Sequence, residues 1–343
     1  MKSISDYCFI RRNNFDFIRF MAASAVVFSH AYPVVSGTNE TEPFYILTNG
    51  QTSIGGTAVS IFFIISGFLV TQSFFNSKST GRYIRSRALR IFPALAFAVF
   101  CTVFILGPLV TSLSAGSYFT SGETYAYLWN ALAYTRHSTL PGVFTVNPFP
   151  LTVNGSLWSL PYEILYYPAL PAIVLLLSKK IFPALGFLCI VFLLTGKGYI
   201  GKGYLFDMTN YFFCGSIYYF FRNYILLSRW IFSATLICLA ASIYFGFYNF
   251  TFGILGGYII LFLAFKVEAG LFHFARFGDF SYGTYLWAFP VQQLVAGNTP
   301  GQSPLKNFLF SYPIILVMAF ISWHLVEKKS LALKAHLSTN SLK

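Results

Sequence analysis

The sequence contains few charged side chains for its length. Only 10% of its 343 residues are Asp, Glu, Lys or Arg, whereas about 25% is usual in soluble domains. Carboxylates are the scarcest group, with 10 Asp and Glu against 23 Lys and Arg. Because 56% of the residues are hydrophobic and the mean hydropathy is +0.63, this scarcity excludes an ordinary soluble globular protein.

Cysteine is also scarce, and its distribution argues against two common uses of the residue. The five cysteines are scattered, without a CxxC pair or the Cys/His spacing of metal ligands. Most lie in apolar segments, where a free thiol behaves as a small hydrophobe. The sequence therefore predicts neither disulfides nor a bound metal at Cys8, Cys101, Cys189, Cys214 and Cys238.

Long apolar segments are what the chain has in abundance, each of roughly the length that crosses a bilayer as a helix. The sequence predicts an all-α polytopic membrane helix bundle with both termini in the cytoplasm. Its domains are a cytoplasmic segment 1–14, one transmembrane domain 15–327 with a larger outer loop 113–154, and a cytoplasmic tail 328–343. The predicted spans, about ten by length, are 15–36, 56–75, 91–112, 155–177, 181–196, 205–221, 230–248, 251–266, 279–296 and 307–326.

The positions of the 23 Lys and Arg residues support this topology. Arg19 lies within a span, and only Arg136, Lys197, Lys202 and Lys306 fall on the outer side, as the positive-inside rule requires. The rule also accounts for the formal net charge of +13. Since the cations are dispersed over inner loops, we expect no nucleic-acid partner, and we expect membrane lipids around the bundle.

The first predicted span carries three ionisable side chains on one stripe. Asp16, Arg19 and His30 share a helical face, with His30 about 16 Å above Arg19 at 1.5 Å per residue. Intramembrane ionisable residues are costly, so they usually face the bundle interior and serve a site. Asp16 and Arg19 also lie near enough to the inner surface to pair with each other or snorkel. His30, in the outer third, is suited to proton transfer or to a neutral structural role.

Two further stretches carry candidate functional groups. The loop 78–93 holds a run of cations, in which Arg87 and Arg90 share a helical face, as do Arg82 and Arg85. Guanidinium pairs suit phosphates, although the positive-inside rule alone predicts cations here. On the fourth span, Glu163 is expected at the depth of His30, as an acid/base or substrate-binding partner or in a structural pair.

Other polar or small residues can be explained by structural roles. Trp158 and Tyr162 would stack on a sugar or anchor the helix at the interface. Ser66 and Gly67, in the second span, most simply permit close helix packing. Around 121–136 the spacing of Tyr125, Leu128, Trp129 and Leu132 predicts either an interfacial helix or one packed against the bundle.

Taken in order, these stretches resemble the acyltransferase-3 family, the O-antigen acetylase-like membrane acyltransferases of bacteria. The match covers nearly the whole chain, and it depends on five short motifs together. They are Phe15-Asp16-Phe17-Ile18-Arg19 followed by His30; 62–68 around Ser66 and Gly67; Arg87-x-x-Arg90-Ile91-x-Pro93; Ser156-Leu157-Trp158-Ser159-Leu160-x-x-Glu163; and Ser281-Tyr282-Gly283-Thr284-Tyr285-Leu286.

The resemblance implies acyl transfer, usually of acetyl from cytoplasmic acetyl-CoA, to a hydroxyl of a surface carbohydrate such as O-antigen or exopolysaccharide. It implies a location in the bacterial inner membrane. His30 would be the catalytic histidine, as general base or acyl relay, and Glu163 the acidic residue of the Trp-Ser-Leu motif. Arg19, Arg87 and Arg90 would serve the donor, with Arg85 beside them. Two positions depart from the family pattern, which often has His where Ala288 stands and Asp where Ser60 stands.

Two other classes of protein fit the same polar groups. In a transporter or flippase, His30 and Glu163 would form a proton relay, although the chain shows no internal repeat of the kind many transporters have. A third possibility is an acyl carrier that delivers to a separate transferase.

Overall fold

The structure is a computed structural model, and it describes residues 2–8, 12–133, 137–177, 204–267 and 271–339. The regular structure of the described part is helical, apart from an isolated bridge between Ser3 and Leu226. The longer helices are α1 (Phe15–Ser36), α2 (Ile54–Phe75), α3 (Thr80–Cys101), α4 (Leu160–Leu177), α5 (Tyr204–Phe220), α6 (Arg229–Tyr244), α7 (Tyr248–Lys266), α8 (Ser281–Asn298), α9 (Pro304–Ser322) and α10 (Lys328–Thr339).

Shorter helical segments connect these elements. Two single π turns, Thr102–Leu106 and Trp323–Glu327, extend α3 into Gly107–Val110 and α9 into α10. The remaining short helices are Ser5–Cys8, Pro43–Leu47, Ala115–Thr120 and Gly122–Ala126, and the 3₁₀ segments are Tyr127–Leu132, Gly155–Ser159 and Leu271–Phe277.

Five helices in the described residues are long and apolar enough to cross a membrane: Phe15–Ser36, Ile54–Phe75, Thr80–Val110, Tyr248–Lys266 and Pro304–Leu333. The protein is therefore a multi-pass membrane protein. Helices also occupy the predicted spans 155–177, 205–221, 230–248 and 279–296, whereas the predicted span 181–196 lies outside the described residues. The number of ten spans and the cytoplasmic location of both termini stay predictions.

One predicted loop is wrong. The basic run was expected to precede the third span, but α3 begins at Thr80, so Arg82, Arg85, Arg87 and Arg90 lie on its first three turns. The reason is that Arg, Ala and Leu are good helix formers, and the helix continues through Pro93 into the apolar segment. The run and the span are one continuous helix.

The chain divides into two compact units. The first comprises Met1–Ala22, Pro43–Tyr83 and Leu165–Arg276, and the second comprises Ala23–Glu42, Ile84–Ile164 and Phe277–Lys343. Helices α1, α3 and α4 each contribute residues to both units. His30, Glu163, Arg87 and Arg90 belong to the second unit, and Asp16 and Arg19 belong to the first.

In the first unit, α2 and α5 approach each other at two glycines. A Cβ atom at Gly67 would lie 1.9 Å from the carbonyl oxygen of Phe212, and one at Gly215 would lie 2.0 Å from that of Ile64. Beside them, the hydroxyl of Thr71 donates to that of Ser216 at 3.0 Å. Small residues thus let the two backbones touch, in the way that membrane helices commonly pack.

The segment 113–154, which the sequence predicts to lie on the outer side and which is called the outer segment here, is not one regular helix. It breaks at Ser121, and Tyr127–Leu132 ends at Ala133, whose φ of 49° is left-handed. Tyr125, Trp129 and Leu132 are exposed, whereas Tyr127 and Asn130 are buried. The expected apolar stripe therefore exists as an exposed patch on a broken helix, with a second face packed inward.

Candidate functional site

The start of α8 is fixed by its own sequence. Gly278 has a φ of +144° and lies against the Trp323 ring, a position with no room for a side chain. Asp279 follows, and its carboxylate accepts from the backbone N–H of Ser281 at 3.2 Å and from the Ser281 hydroxyl. A carboxylate at a helix N-terminus is favourable because it meets the positive end of the helix dipole.

Arg90 of α3 forms an ion pair with this same carboxylate. Asp279 is buried and Arg90 is 23% exposed in its side chain. Next to the pair, the Tyr282 hydroxyl donates to the Ile91 carbonyl at 3.2 Å, and the carboxylate of buried Glu327 accepts from the Ser322 hydroxyl at 2.9 Å. Arg90 is thus part of a polar cluster that joins α3 to the start of α8.

The other arginines of the basic run differ in exposure. Arg87 is half-buried, one turn of α3 before Arg90, whereas Arg85 is exposed. Of the predicted donor-binding cations on this helix, Arg87 and Arg90 therefore point into the unit and Arg85 points away. Only inward-facing guanidinium groups combine charge with partial exclusion of water, which strengthens binding of a phosphate.

The segment that leads into α4 is tied to the middle of α8. Pro290 lacks an N–H, so the Leu286 carbonyl has no helical partner at that position, and the Asn154 amide donates to it at 2.9 Å. Tyr285 donates to the Ser156 carbonyl and lies within hydrogen-bond distance of the Ser159 hydroxyl, both at 2.7 Å. These contacts fix the Trp-Ser-Leu stretch on α8.

That attachment places Glu163 near two phenols. The half-buried Glu163 carboxylate lies within electrostatic range of Tyr282 and Tyr285, both on the first two turns of α8. Trp158 and Tyr162, which are half-buried, pack edge to face with ring centroids 6.1 Å apart. An acid, three phenols and an indole therefore belong to this part of the unit, a composition suited to hydroxyl-rich ligands.

His30 lies further along α8, at Phe289. Its ring meets the Phe289 ring edge to face at 5.3 Å, so it faces protein and not lipid at this contact. The residue is half-buried, yet Nδ1 is buried and has no hydrogen-bond partner among the described residues. The accessible part of the ring therefore lies away from Nδ1.

Glu163 and His30 have different recorded neighbours on α8. Tyr282 and Tyr285, which Glu163 influences electrostatically, precede Phe289 by one to two turns, or about 6–10 Å along the helix. Because an electrostatic influence extends over several ångströms, the matching depth of Glu163 and His30 stays a prediction. Along α8 the Arg90–Asp279 pair comes first and His30 follows.

The remaining predicted residues lie in the first unit. Arg19 forms an ion pair with Asp16 one turn earlier on α1, with 22% and 46% of their side chains exposed. Asn14 holds the start of this helix by donating to the carbonyls of Leu263 and Val267. The local pairing considered for Asp16 and Arg19 is present, on the same unbroken helix that carries His30.

Buried amides are the polar residues that the sequence analysis missed. Gln292 of α8 donates from Nε2 to the Val27 carbonyl at 2.7 Å, and Asn307 of α9 donates to the Gln292 carbonyl at 3.1 Å. Gln293 and Asn147 hydrogen-bond to each other and hold the outer segment on α8. The same argument about cost inside a membrane, extended from ionisable groups to amides, would have identified them.

Comparison with known proteins gives two relatives and one family. The family model described as "Acyltransferase domain" matches residues 12–327. An O-acetyl transferase of Shigella phage Sf6 is 30% identical over 335 residues, which is 94% of this chain and 96% of that protein. Nodulation protein 10 of Rhizobium leguminosarum bv. viciae is 34% identical over 173 residues, covering 48% of this chain and 44% of that protein. No solved structure matches the chain.

Proposed function

Since the chain belongs to the acyltransferase domain family, we propose that it moves an acyl group from cytoplasmic acyl-CoA to a carbohydrate hydroxyl. The family and the phage relative together indicate that the protein is a membrane O-acyltransferase. The name of the phage relative favours acetyl as the acyl group. The proposed acceptor is a cell-surface polysaccharide or its lipid-linked precursor, and the proposed location is the bacterial inner membrane.

The order of groups along α8 is the observation that supports this proposal. Ser281, beside the Arg90–Asp279 pair, and Phe289, beside His30, are separated by about 12 Å of helix. Coenzyme A has phosphates at one end and its thioester at the end of a long arm. We assign the phosphates to Arg87 and Arg90, with lesser help from exposed Arg85, and the thioester to the vicinity of His30. For Arg19, which belongs to the first unit, a part in donor use stays a prediction from the sequence.

The proposed reaction uses His30 as general base. The imidazole takes the proton of the acceptor hydroxyl while its oxygen attacks the thioester carbonyl carbon. The carbon–sulfur bond then breaks, and the imidazolium returns the proton to the departing thiolate, so ester and free coenzyme A are the products. Glu163, Trp158 and Tyr162 would bind the sugar. In the alternative relay, His30 carries the acyl group itself, and an acyl-histidine adduct would accumulate without acceptor.

His30→Ala tests the central assignment. With isotopically labelled acetyl-CoA and membranes that hold the wild-type protein, we expect label in an extractable glycan, and we expect His30→Ala to abolish it because the base is gone. His273→Ala is the matched control, since His273 is exposed, and it should keep wild-type activity. Near-normal transfer by correctly inserted His30→Ala would refute the role of His30.

Arg87→Gln tests donor binding. A hydrogen bond to a charged group contributes about 1.5–3 kcal/mol, so its loss should raise KM for acyl-CoA about 10- to 100-fold with little change in kcat. Arg229→Gln, at an exposed cation on the predicted inner side, is the control and should leave KM unchanged. Equal KM values for Arg87→Gln and wild type would remove Arg87 from the donor site.

A further inference from the structure

Several polar side-chain atoms of the second unit are buried without a hydrogen-bond partner among the described residues. Three of them belong to helices that pack on one another: Nδ1 of His30 on α1, Oε1 of Gln292 on α8 and Oδ1 of Asn307 on α9. Gln292 and Asn307 are themselves 0% exposed. An unpaired buried polar group costs about 1–3 kcal/mol, so a group of this kind calls for an explanation.

Gln292 and His30 share one interface between α1 and α8. The Gln292 amide nitrogen donates to the carbonyl of Val27, which lies one turn before His30 on α1. Phe289, one turn before Gln292 on α8, contacts the His30 ring. The amide oxygen is bonded to the same carbon as the nitrogen that touches Val27, so it lies at the helical turn that carries the imidazole.

We propose that Gln292 is a positioning residue for His30. Its amide oxygen accepts the proton of Nδ1 through one bridging water molecule, and thereby holds the imidazole in the tautomer whose Nε2 is bare. The inference rests on the proposed function, because a fixed tautomer matters only if His30 acts as base or relay.

The chemistry of imidazole explains why such a partner is needed. A neutral histidine has one nitrogen that donates and one that accepts, and the partner of the donating nitrogen selects the tautomer. The reacting nitrogen must be the bare one, and the accessible part of the His30 ring lies away from Nδ1. An amide selects the tautomer without placing a charge in apolar surroundings, where an unpaired carboxylate would be costly.

Asn307 provides the contrast that separates positioning from helix packing. It is another fully buried amide of the same network, but it lies on α9 and donates to the backbone carbonyl of Gln292. If these amides serve only to hold helices together, substitution of either one should affect the His30 imidazole to a similar extent. If Gln292 positions His30, only Gln292 should control the imidazole.

Nitrogen-15 spectra of the purified protein in detergent provide the direct test. The chain has five histidines, so histidine-selective labelling gives few signals, and His30→Gln identifies those of His30. In the wild type we expect a protonated Nδ1 and a bare Nε2. Gln292→Met, which keeps the volume but removes the oxygen, should mix or reverse the tautomers. Gln292→Glu keeps an acceptor oxygen and should preserve the wild-type tautomer, and Asn307→Leu should preserve it as well.

Kinetics provide the second readout. We expect Gln292→Met to lower kcat about 10- to 100-fold, by analogy with the loss of the hydrogen-bond partner of a metal-bound histidine, with KM for acyl-CoA unchanged. Gln292→Glu should restore much of the activity. A protonated Nε2 in the wild type, an unchanged tautomer in Gln292→Met, or an unchanged kcat would overturn the proposal.

The outcomes also separate this inference from the proposed function. If the wild type transfers no acyl group from any acyl-CoA tested, the function fails, whereas the spectra still report whether Gln292 sets the tautomer. If transfer occurs and the tautomer does not depend on Gln292, only the positioning role fails. Should Gln292→Met not fold, as judged by size-exclusion chromatography, Gln292→Glu and Asn307→Leu decide. Both should keep the wild-type tautomer, and an altered tautomer in either variant contradicts the proposal.

Discussion

At the scale of single residues, two glycines determine how closely α2 and α5 approach. Carbonyl oxygens of the facing helix occupy the space that a Cβ atom would need at Gly67 and at Gly215. Backbone oxygens in a helix cannot move aside as a flexible side chain can. The contact therefore depends on the absence of a side chain, and even a methyl group would force the helices apart.

We predict that Gly67→Ala lowers the free energy of unfolding by about 1–3 kcal/mol or more, the usual cost of overpacking. Thermal unfolding in detergent, followed by loss of the monodisperse peak, would measure the change. Gly81→Ala is the control, because Gly81 has no atom within 4 Å of the added carbon and lies in an exposed turn of α3. It should be neutral or slightly stabilising. Equal stability of Gly67→Ala and wild type would contradict the close contact.

The sequence indicates some functional residues better than others. His30, Glu163 and the arginines are recognisable because an ionisable group in an apolar segment is costly and calls for a function. Gln292 and Asn307 carry no charge and so escape that rule, although burial makes their amides costly too. The pairing of Arg90 with Asp279 joins positions far apart in the chain, which no local spacing predicts.

At the scale of elements, α8 organises the second unit. Asp279, just before its first turn, pairs with Arg90. Tyr285, on its second turn, holds the Trp-Ser-Leu stretch, and Phe289 contacts His30. The sequence predicts this helix to within two residues at each end. It does not predict what the helix touches, because the motif that opens it, with Asp279, Ser281 and Tyr282, says little by itself about its partners.

The Arg90–Asp279 pair is expected to contribute strongly to stability. Removing one partner of a buried ion pair lowers the free energy of unfolding by about 3–5 kcal/mol. Because Arg90 is partly exposed, we expect Asp279→Ala to lower it by about 2–4 kcal/mol. A double-mutant cycle with Arg90→Ala should give a coupling energy of about 1–3 kcal/mol. Additive effects of the two substitutions would show that the pair does not hold α3 on α8.

The same variants separate packing from donor binding at Arg90. If Arg90 also binds the donor phosphates, Arg90→Ala should raise KM for acyl-CoA more than Asp279→Ala does, because only the first removes the cation. A similar KM in both variants would assign Arg90 to the α3–α8 contact alone and leave Arg87 as the inward-facing donor cation.

At the scale of the whole molecule, the sequence predicts an all-helical membrane protein, and the described helices confirm this class. Mean hydropathy and repeated apolar segments suffice for that conclusion because the lipid phase admits few architectures. The division into two units cannot be predicted in this way. Three helices contribute residues to both units, and apolar segments alone carry no information about which helices pack together.

Cysteine labelling would test the predicted topology. The native Cys238 is first replaced, because it is exposed and would react itself. In intact cells, an impermeant maleimide should then react with a cysteine introduced by Glu123→Cys, at an exposed position. A cysteine introduced by Gly81→Cys, also exposed, should react only after permeabilisation. Native Cys8 should react slowly in either case, because burial raises the pKa of its thiol to about 11, with Arg222 opposing the shift. Labelling of Gly81→Cys in intact cells would invert the orientation assigned from the cations.

Gly155 is the residue through which the outer segment can influence the histidine. A Cβ atom there would lie 2.7 Å from the Phe289 ring, and that ring lies against both Phe149 and His30. A rigid ring pressed from one side has to shift toward its other neighbours. A side chain at Gly155 in a relative would therefore change the position of the His30 imidazole without contacting it. Natural sequences should accept substitutions at Gly155 only together with a smaller side chain at Phe289.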